Sequence, residues 1–313
     1  MKTSSSEYTF SKAELSILKE IAKGNHELVS IERALSITPQ LLSYNLKKLE
    51  SKNLIKTTKH ALKKQAYFND SKHATLLFDL LAVYNHIDWE NVLSNKAIDI
   101  LLQNLNGHEN HASTVPKNTL WRHFKNLKAR GIITQNNSIN SRFNTLSEFL
   151  AEYQKFFLRK LATTVSRDAI ILWQKDGDFL IRAPKTAQPP PKGFLKTATS
   201  VMQEYDIPLF SESEIYLYSK EKKEILPEDA VLHILLIEPD STRYITYALL
   251  LLRKIWNHLD RAYLLSEAQQ LRIRDQVDCM LQFLENHERP ADSMLPSWNE
   301  FAEKATDYNV VIL

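Results

Sequence analysis

One apolar pattern occurs twice in this chain, and its second appearance follows the first by 78 positions. Leu42, Leu46, Leu49, Leu54 and Ile55 fall on Leu120, Phe124, Leu127, Ile132 and Ile133. The first three positions have helical spacing and the last two are adjacent, as at the start of a strand. Lys47 lands on Lys125, Lys52 on Arg130 and Asn53 on Gly131. Asn and Gly both tolerate the left-handed conformation that ends many helices. The front of the chain is therefore read as two copies of one small helix-and-hairpin unit.

The first copy shows the signals most fully. Ser11 and Glu14 form a capping box, in which each side chain satisfies a backbone N–H at a helix start. Leu15, Leu18, Ile21 and Ala22 continue at helical spacing until Gly24-Asn25, which predicts a helix over 12–23. A short helix fits 28–35, with a turn at Ser36-Ile37. Thr38 then caps a third helix, with Pro39 at the first position, where no N–H is needed. Along that helix Leu42, Leu46 and Leu49 make the buried stripe, and Gln40, Ser43, Tyr44, Lys47 and Lys48 lie on or near the opposite side. Gln can bond adenine edges, Tyr and Ser can reach bases or phosphates, and Lys neutralises phosphate. A strand over 54–58, a tip carrying Lys59, His60, Lys63 and Lys64, and a return strand at 66–68 complete a basic hairpin.

This order, with the run Leu-Lys-Lys-Leu-Glu-Ser-Lys-Asn-Leu-Ile-Lys at 46–56, resembles the winged helix-turn-helix regulators of the MarR and ArsR type. The resemblance covers about 60 residues. It implies that helix 39–52 enters the major groove of DNA and that the wing at 56–68 touches the flanking backbone.

In the second copy Ile98, Leu101, Leu102 and Leu105 mark a first helix, and Pro116 opens a recognition helix carrying Asn118, Arg122, Lys125 and Lys128. The pattern departs at 106–115, where a middle helix should lie but Gly107 and polar residues stand, so that helix is expected to be short or missing. His108 and His111 have a spacing that two metal ligands can share, but no third ligand is near, and a solvated loop is preferred. The apolar segment 75–89 is read as a core helix between the two units.

Behind them, Phe149, Leu150, Tyr153, Phe156, Phe157 and Leu161 describe an amphipathic aromatic helix, suited to core or to a dimer seam. A hairpin is predicted over 169–173 and 179–182, with its turn at Asp176-Gly177. After the connector Pro189-Pro190-Pro191 come a helix at 194–205, a strand at 215–218, a helix opened by Pro227, and more helix to about Asn286. The segment Leu-Pro-Glu-Asp-Ala-Val-Leu-His-Ile-Leu-Leu at 226–236 is faintly similar to an element of AbiEi-type antitoxins, which also carry N-terminal winged helices. The expected fold class is α+β and mostly helical. A winged helix-turn-helix occupies 1–70, a linker helix and second winged-helix-like unit 71–146, and an α+β domain with a small sheet 147–313.

Composition narrows the function. Five glycines cannot write a phosphate-binding GxxxxGK[ST] loop or a GxGxxG turn, and the single Cys279 forms neither a disulfide nor a zinc cluster. No cofactor or metal is expected. Residues 1–150 hold 20 Lys and Arg against 13 Asp and Glu, whereas 151–313 hold 20 against 24, so the front half favours a polyanion. With no apolar run long enough for a membrane and no signal peptide, a cytoplasmic protein that does not engage membranes is expected. The leading reading is a sequence-specific transcriptional regulator of double-stranded DNA, not an enzyme. Two units on one chain suit an asymmetric site, whereas a homodimer would call for a palindrome, and both stay open. The alternatives are a protein-docking scaffold and a DNA-directed enzyme of nuclease or nucleotidyltransferase type. The enzyme would use Asp206, Glu221 and Lys223, or the Asp176 and Asp178 pair.

Overall fold

The computed structural model describes residues 8–60, 63–105, 117–175, 177–290 and 293–312. The fold is α+β and mostly helical, with one two-stranded and one four-stranded sheet. The chain divides into two compact units, Met1–Leu158 and Arg159–Leu313.

The first unit opens with α1 (Lys12–Ala22), and its capping box forms as the residues require. The Glu14 N–H donates to Ser11 Oγ at 3.1 Å, and the Ser11 N–H to Glu14 Oε2 at 2.6 Å. Next come α2 (Leu28–Leu35), ended by left-handed Ser36, and α3 (Pro39–Ser51), whose N-cap Thr38 accepts from the Leu41 N–H. Strands β1 (Ile55–His60) and β2 (Lys63–Phe68) pair antiparallel, Ile55 opposite Phe68 and His60 opposite Lys63. A further bridge between Glu27 and Gln65 ties the start of α2 to the hairpin.

After α4 (Lys72–Val83) and the single turn α5 (Trp89–Val92), α6 (Lys96–Leu105) and α7 (Lys117–Ala129) carry the second copy. The repeat is visible in the backbone. The Asn53 N–H donates to Glu50 O at 2.8 Å and the Leu54 N–H to Leu49 O at 3.1 Å. Their counterparts run from Gly131 to Lys128 O at 2.9 Å and from Ile132 to Leu127 O at 3.0 Å. Asn53 (φ 55°) and Gly131 (φ 67°) are both left-handed, the conformation this helix ending needs.

The hairpins differ. In the first copy the chain returns where the Asn69 N–H meets Leu54 O, and in the second where the Asn140 N–H meets Ile132 O, which makes the second loop seven residues shorter. Two paired strands are replaced by a lone Ile133–Ile139 bridge, so the second copy has a tight turn where the first has an arm. The expectation about a middle helix at 106–115, and that of a loop at His108 and His111, lie outside the described residues.

Helix α8 (Asn144–Val165) follows. Phe149 and Tyr153 are fully buried in the core of the first unit, where Tyr153 stacks on Tyr8, Phe10 and Phe149 at 5.3–5.5 Å between ring centroids. Its hydroxyl donates to Tyr8 O at 3.0 Å. This face of α8 is core, and the sequence boundary at 146 moves to Leu158 because these aromatic residues pack forward in the chain.

The second unit contains β3 (Ile170–Lys175), β4 (Asp178–Pro184), β5 (Phe194–Lys196) and β6 (Ser213–Tyr218), antiparallel throughout in the order β3-β4-β6-β5. The helix expected at 194–205 is instead β5 followed by a 3-10 helix over Ala198–Tyr205. Gly193 (φ 95°) explains the start: a Cβ there would lie 3.0 Å from the Tyr218 ring, so only glycine brings this edge so close to β6. Then follow α9 (Pro227–Ile237), α10 (Thr242–Lys254), α11 (Arg261–Leu271), α12 (Arg274–Asn286) and α13 (Trp298–Asp307). The all-apolar run Ala248 to Leu252 is fully buried, as a helix without a polar face requires.

One buried polar pair gives this unit a pH dependence. Thr197 Oγ1 and His233 Nδ1 are hydrogen-bonded at 2.7 Å, and burial pushes the imidazole down to about 4 from its ordinary 6.5. As pH falls below the ordinary value, the unfolded chain gains a proton that the folded chain refuses. The contribution is therefore whole above pH 6.5 and lost on the way down to about pH 4. The loss is expected to reach about 3 kcal/mol. Urea midpoints at pH 7 and 4.5 for the parent and His233→Leu check this, since the variant should lose that slope.

Candidate nucleic-acid interface

Helix α3 separates its two sides cleanly. Leu42, Asn45, Leu46 and Leu49 are buried, with Asn45 Nδ2 donating to Leu41 O at 2.8 Å. Gln40, Ser43, Tyr44 and Lys47 are exposed, and Lys48 is half-buried. Lys48 reaches back over the Tyr44 ring, its Nζ 4.5 Å from the centroid, which orients an aromatic side chain that is 57 % exposed.

The hairpin lysines are not equivalent. Lys56 pairs with Asp70 at 2.6 Å and Lys63 with Glu27 at 2.7 Å, so half of the arm's positive charge is answered within the fold. Lys59 and Lys64 face each other across the strands, both exposed, and among the described residues no carboxylate pairs with either. His60 holds its backbone place at the tip, opposite Lys63.

The end of α3 is fixed from beneath. Lys52 is buried and its Nζ donates to Glu14 Oε1 at 2.6 Å and to Thr9 O at 2.7 Å. The same ammonium lies 4.6 Å from the Phe10 ring centroid, and Lys52 O meets His73 Nε2 at 3.0 Å. Glu14 thus divides its carboxylate, one oxygen capping α1 and the other holding α3.

On α7, Asn118, Arg122 and Lys125 are exposed, while Lys128 is half-buried and donates to Gln135 O at 3.0 Å. Trp121 was not among the residues singled out from sequence, yet it is 65 % exposed with Lys125 Nζ 5.1 Å from its ring centroid. The available signal was its absence from the Leu120, Phe124 and Leu127 stripe.

The residues considered for catalysis have ordinary structural partners. Asp206 is the left-handed cap of a 3-10 helix and lies 3.8 Å from Lys254. The N–H groups of Glu221 and Lys222 donate to Ser219 Oγ, forming a side-chain-capped turn. Lys222 pairs with Asp229, whose Oδ1 also accepts from the Tyr263 hydroxyl at 2.8 Å. Burial lowers the ammonium's pKa, but the bonds to Asp229 and Tyr263 outweigh it and raise the net value. Among the described residues no group of three or more His, Cys, Asp or Glu side chains is placed to hold a metal. Asp176 lies outside them.

Comparison with known families finds one match: residues 191–310 match the family described as HVO_2833_C, C-terminal. That stretch lies wholly in the second unit and does not touch α3, the hairpin or α7. No curated protein and no solved structure matches the chain. No described helix is long and apolar enough to cross a membrane.

Proposed function

We propose that this protein is a sequence-specific DNA-binding regulator of the winged helix-turn-helix kind, which lays α3 in the major groove of duplex DNA. The observation that carries the reading is the α3 surface itself. Gln40, Ser43, Tyr44 and Lys47 are open to solvent over a fully apolar buried side, next to a hairpin with two unpaired lysines. In this reading Gln40, Ser43 and Tyr44 meet base edges, and Lys47 and Lys48 fix register on phosphates. Lys59 and Lys64 hold the flanking backbone.

Salt titration of duplex binding tests it. Each phosphate contact contributes about 0.9 to the slope of log K against log salt. Lys59→Ala with Lys64→Ala is expected to reduce that slope by about 2. Lys56→Ala with Lys63→Ala should change it less, because Asp70 and Glu27 already neutralise those ammonium groups. Binding that does not weaken between about 50 and 200 mM salt would count against the reading.

A further inference from the structure

We propose that the exposed face of α7 is a second, separate site, for a single-stranded nucleic acid, in which Trp121 stacks on an unpaired base. Three observations lead there. The first is charge. From Asn110 to Ser147 the sequence contains six Lys or Arg and no Asp or Glu. Of these, Arg130 is answered by Asp88 at 3.5 Å, but among the described residues Arg122 and Lys125 have no carboxylate partner. The face therefore complements a polyanion and offers nothing to a basic partner.

The second is Trp121. An indole left 65 % exposed on a helix whose other large apolar residues turn inward gains most by covering a flat partner. Lys125 occupies one side of the ring system, leaving much of the side chain to solvent. In a duplex the faces of the bases are hidden in the stack, whereas an unpaired base presents a π-face to an aromatic platform beside cations.

The third is the short second hairpin. A recognition helix on duplex DNA is accompanied by an arm that follows the flanking backbone, and the first copy has that arm over β1 and β2. The second has a turn closed by the Thr134 N–H donating to Ser138 O at 2.8 Å. Without an arm, α7 tracks one strand through Arg122 and Lys125, with Asn118 one turn earlier to bond an exposed base edge. The two copies then divide their labour: α3 for duplex, α7 for a strand with free bases.

The test uses the full-length protein and fluorescein-labelled 15-mers of dT, of rU and of random duplex. Trp121→Ala is expected to weaken binding to the single strands about tenfold or more while duplex affinity holds. Trp121→Phe should retain most of the single-strand affinity but remove the quenching of tryptophan emission that stacking causes. Arg122→Glu with Lys125→Glu should abolish single-strand binding, and Lys47→Glu with Lys48→Glu should leave it intact. Binding of dT or rU alone identifies the sugar the site accepts, and binding of both a sugar-independent strand. Either result supports the proposal. Single-strand affinity unchanged in Trp121→Ala, with an unchanged thermal midpoint, overturns it. So does an equal loss for duplex and single strand, which would return α7 to duplex reading. A failure confined to the α3 variants bears on the regulator reading alone.

Discussion

Duplex affinity is expected to fall about a hundredfold at 0.1 M salt when Lys47 and Lys48 are both replaced by glutamate. Each replacement removes a phosphate contact and sets a negative charge where the backbone would lie. The slope of log K against log salt should fall by about 2 in the same experiment. The helix should survive, because neither side chain belongs to the stripe that holds it: Leu42, Leu46 and Leu49 do that work from the other side. Fluorescence anisotropy with a duplex selected from genomic DNA measures the first effect, and circular dichroism with a thermal melt guards against unfolding. Unchanged affinity in a folded variant would remove α3 as the contact.

Glu14→Ala is expected to be the most damaging single change in the first unit, with a loss of about 3–5 kcal/mol, because it strands the Lys52 ammonium in the core. Side-chain exposure of only 2 % for Glu14 and 3 % for Lys52 gives water no route to replace the lost partner. Glu14→Gln separates the two duties of this residue, since the amide oxygen still accepts at the N-cap but carries no charge. It should fall between the parent and the alanine variant. Glu14→Met combined with Lys52→Met should cost less than Glu14→Ala alone, since a buried pair replaced as a pair leaves no orphan charge. Denaturant melts of the set form a cycle that reads the coupling directly. A Glu14→Ala variant as stable as its parent would mean that water or Thr9 alone satisfies the lysine. Because Lys52 terminates α3, these variants should also lower duplex affinity with no DNA-facing residue changed.

The parts of this architecture legible in sequence are those decided within a few residues. Thr38 and Pro39 start α3, and Ser11 and Glu14 start α1, because caps are local chemistry. The match of Asn53 with Gly131 was legible because a backbone conformation limits residue type. What escaped was decided by partners far along the chain. β5 is three residues long, too short for any period to register, and exists because β6 offers it an edge. Lys63 reads as a free basic tip residue until the fold brings Glu27 beside it from 36 positions away. α13 follows a proline-containing stretch and was not anticipated. At the candidate site the exposed face of α3 followed from helical spacing, whereas Trp121 was missed because an aromatic residue next to an apolar stripe reads as part of it.

The bond from the Tyr153 hydroxyl to Tyr8 O spans 145 residues and closes the first unit's chain upon itself. During synthesis the segment around Phe10 therefore has no lid until α8 has left the ribosome, and the earlier helices must wait with an aromatic surface uncovered. A fragment ending at residue 70 would inherit that exposed surface permanently. The recognition helix is thus supported by residues made long after it, and it matures only when the chain is about half complete.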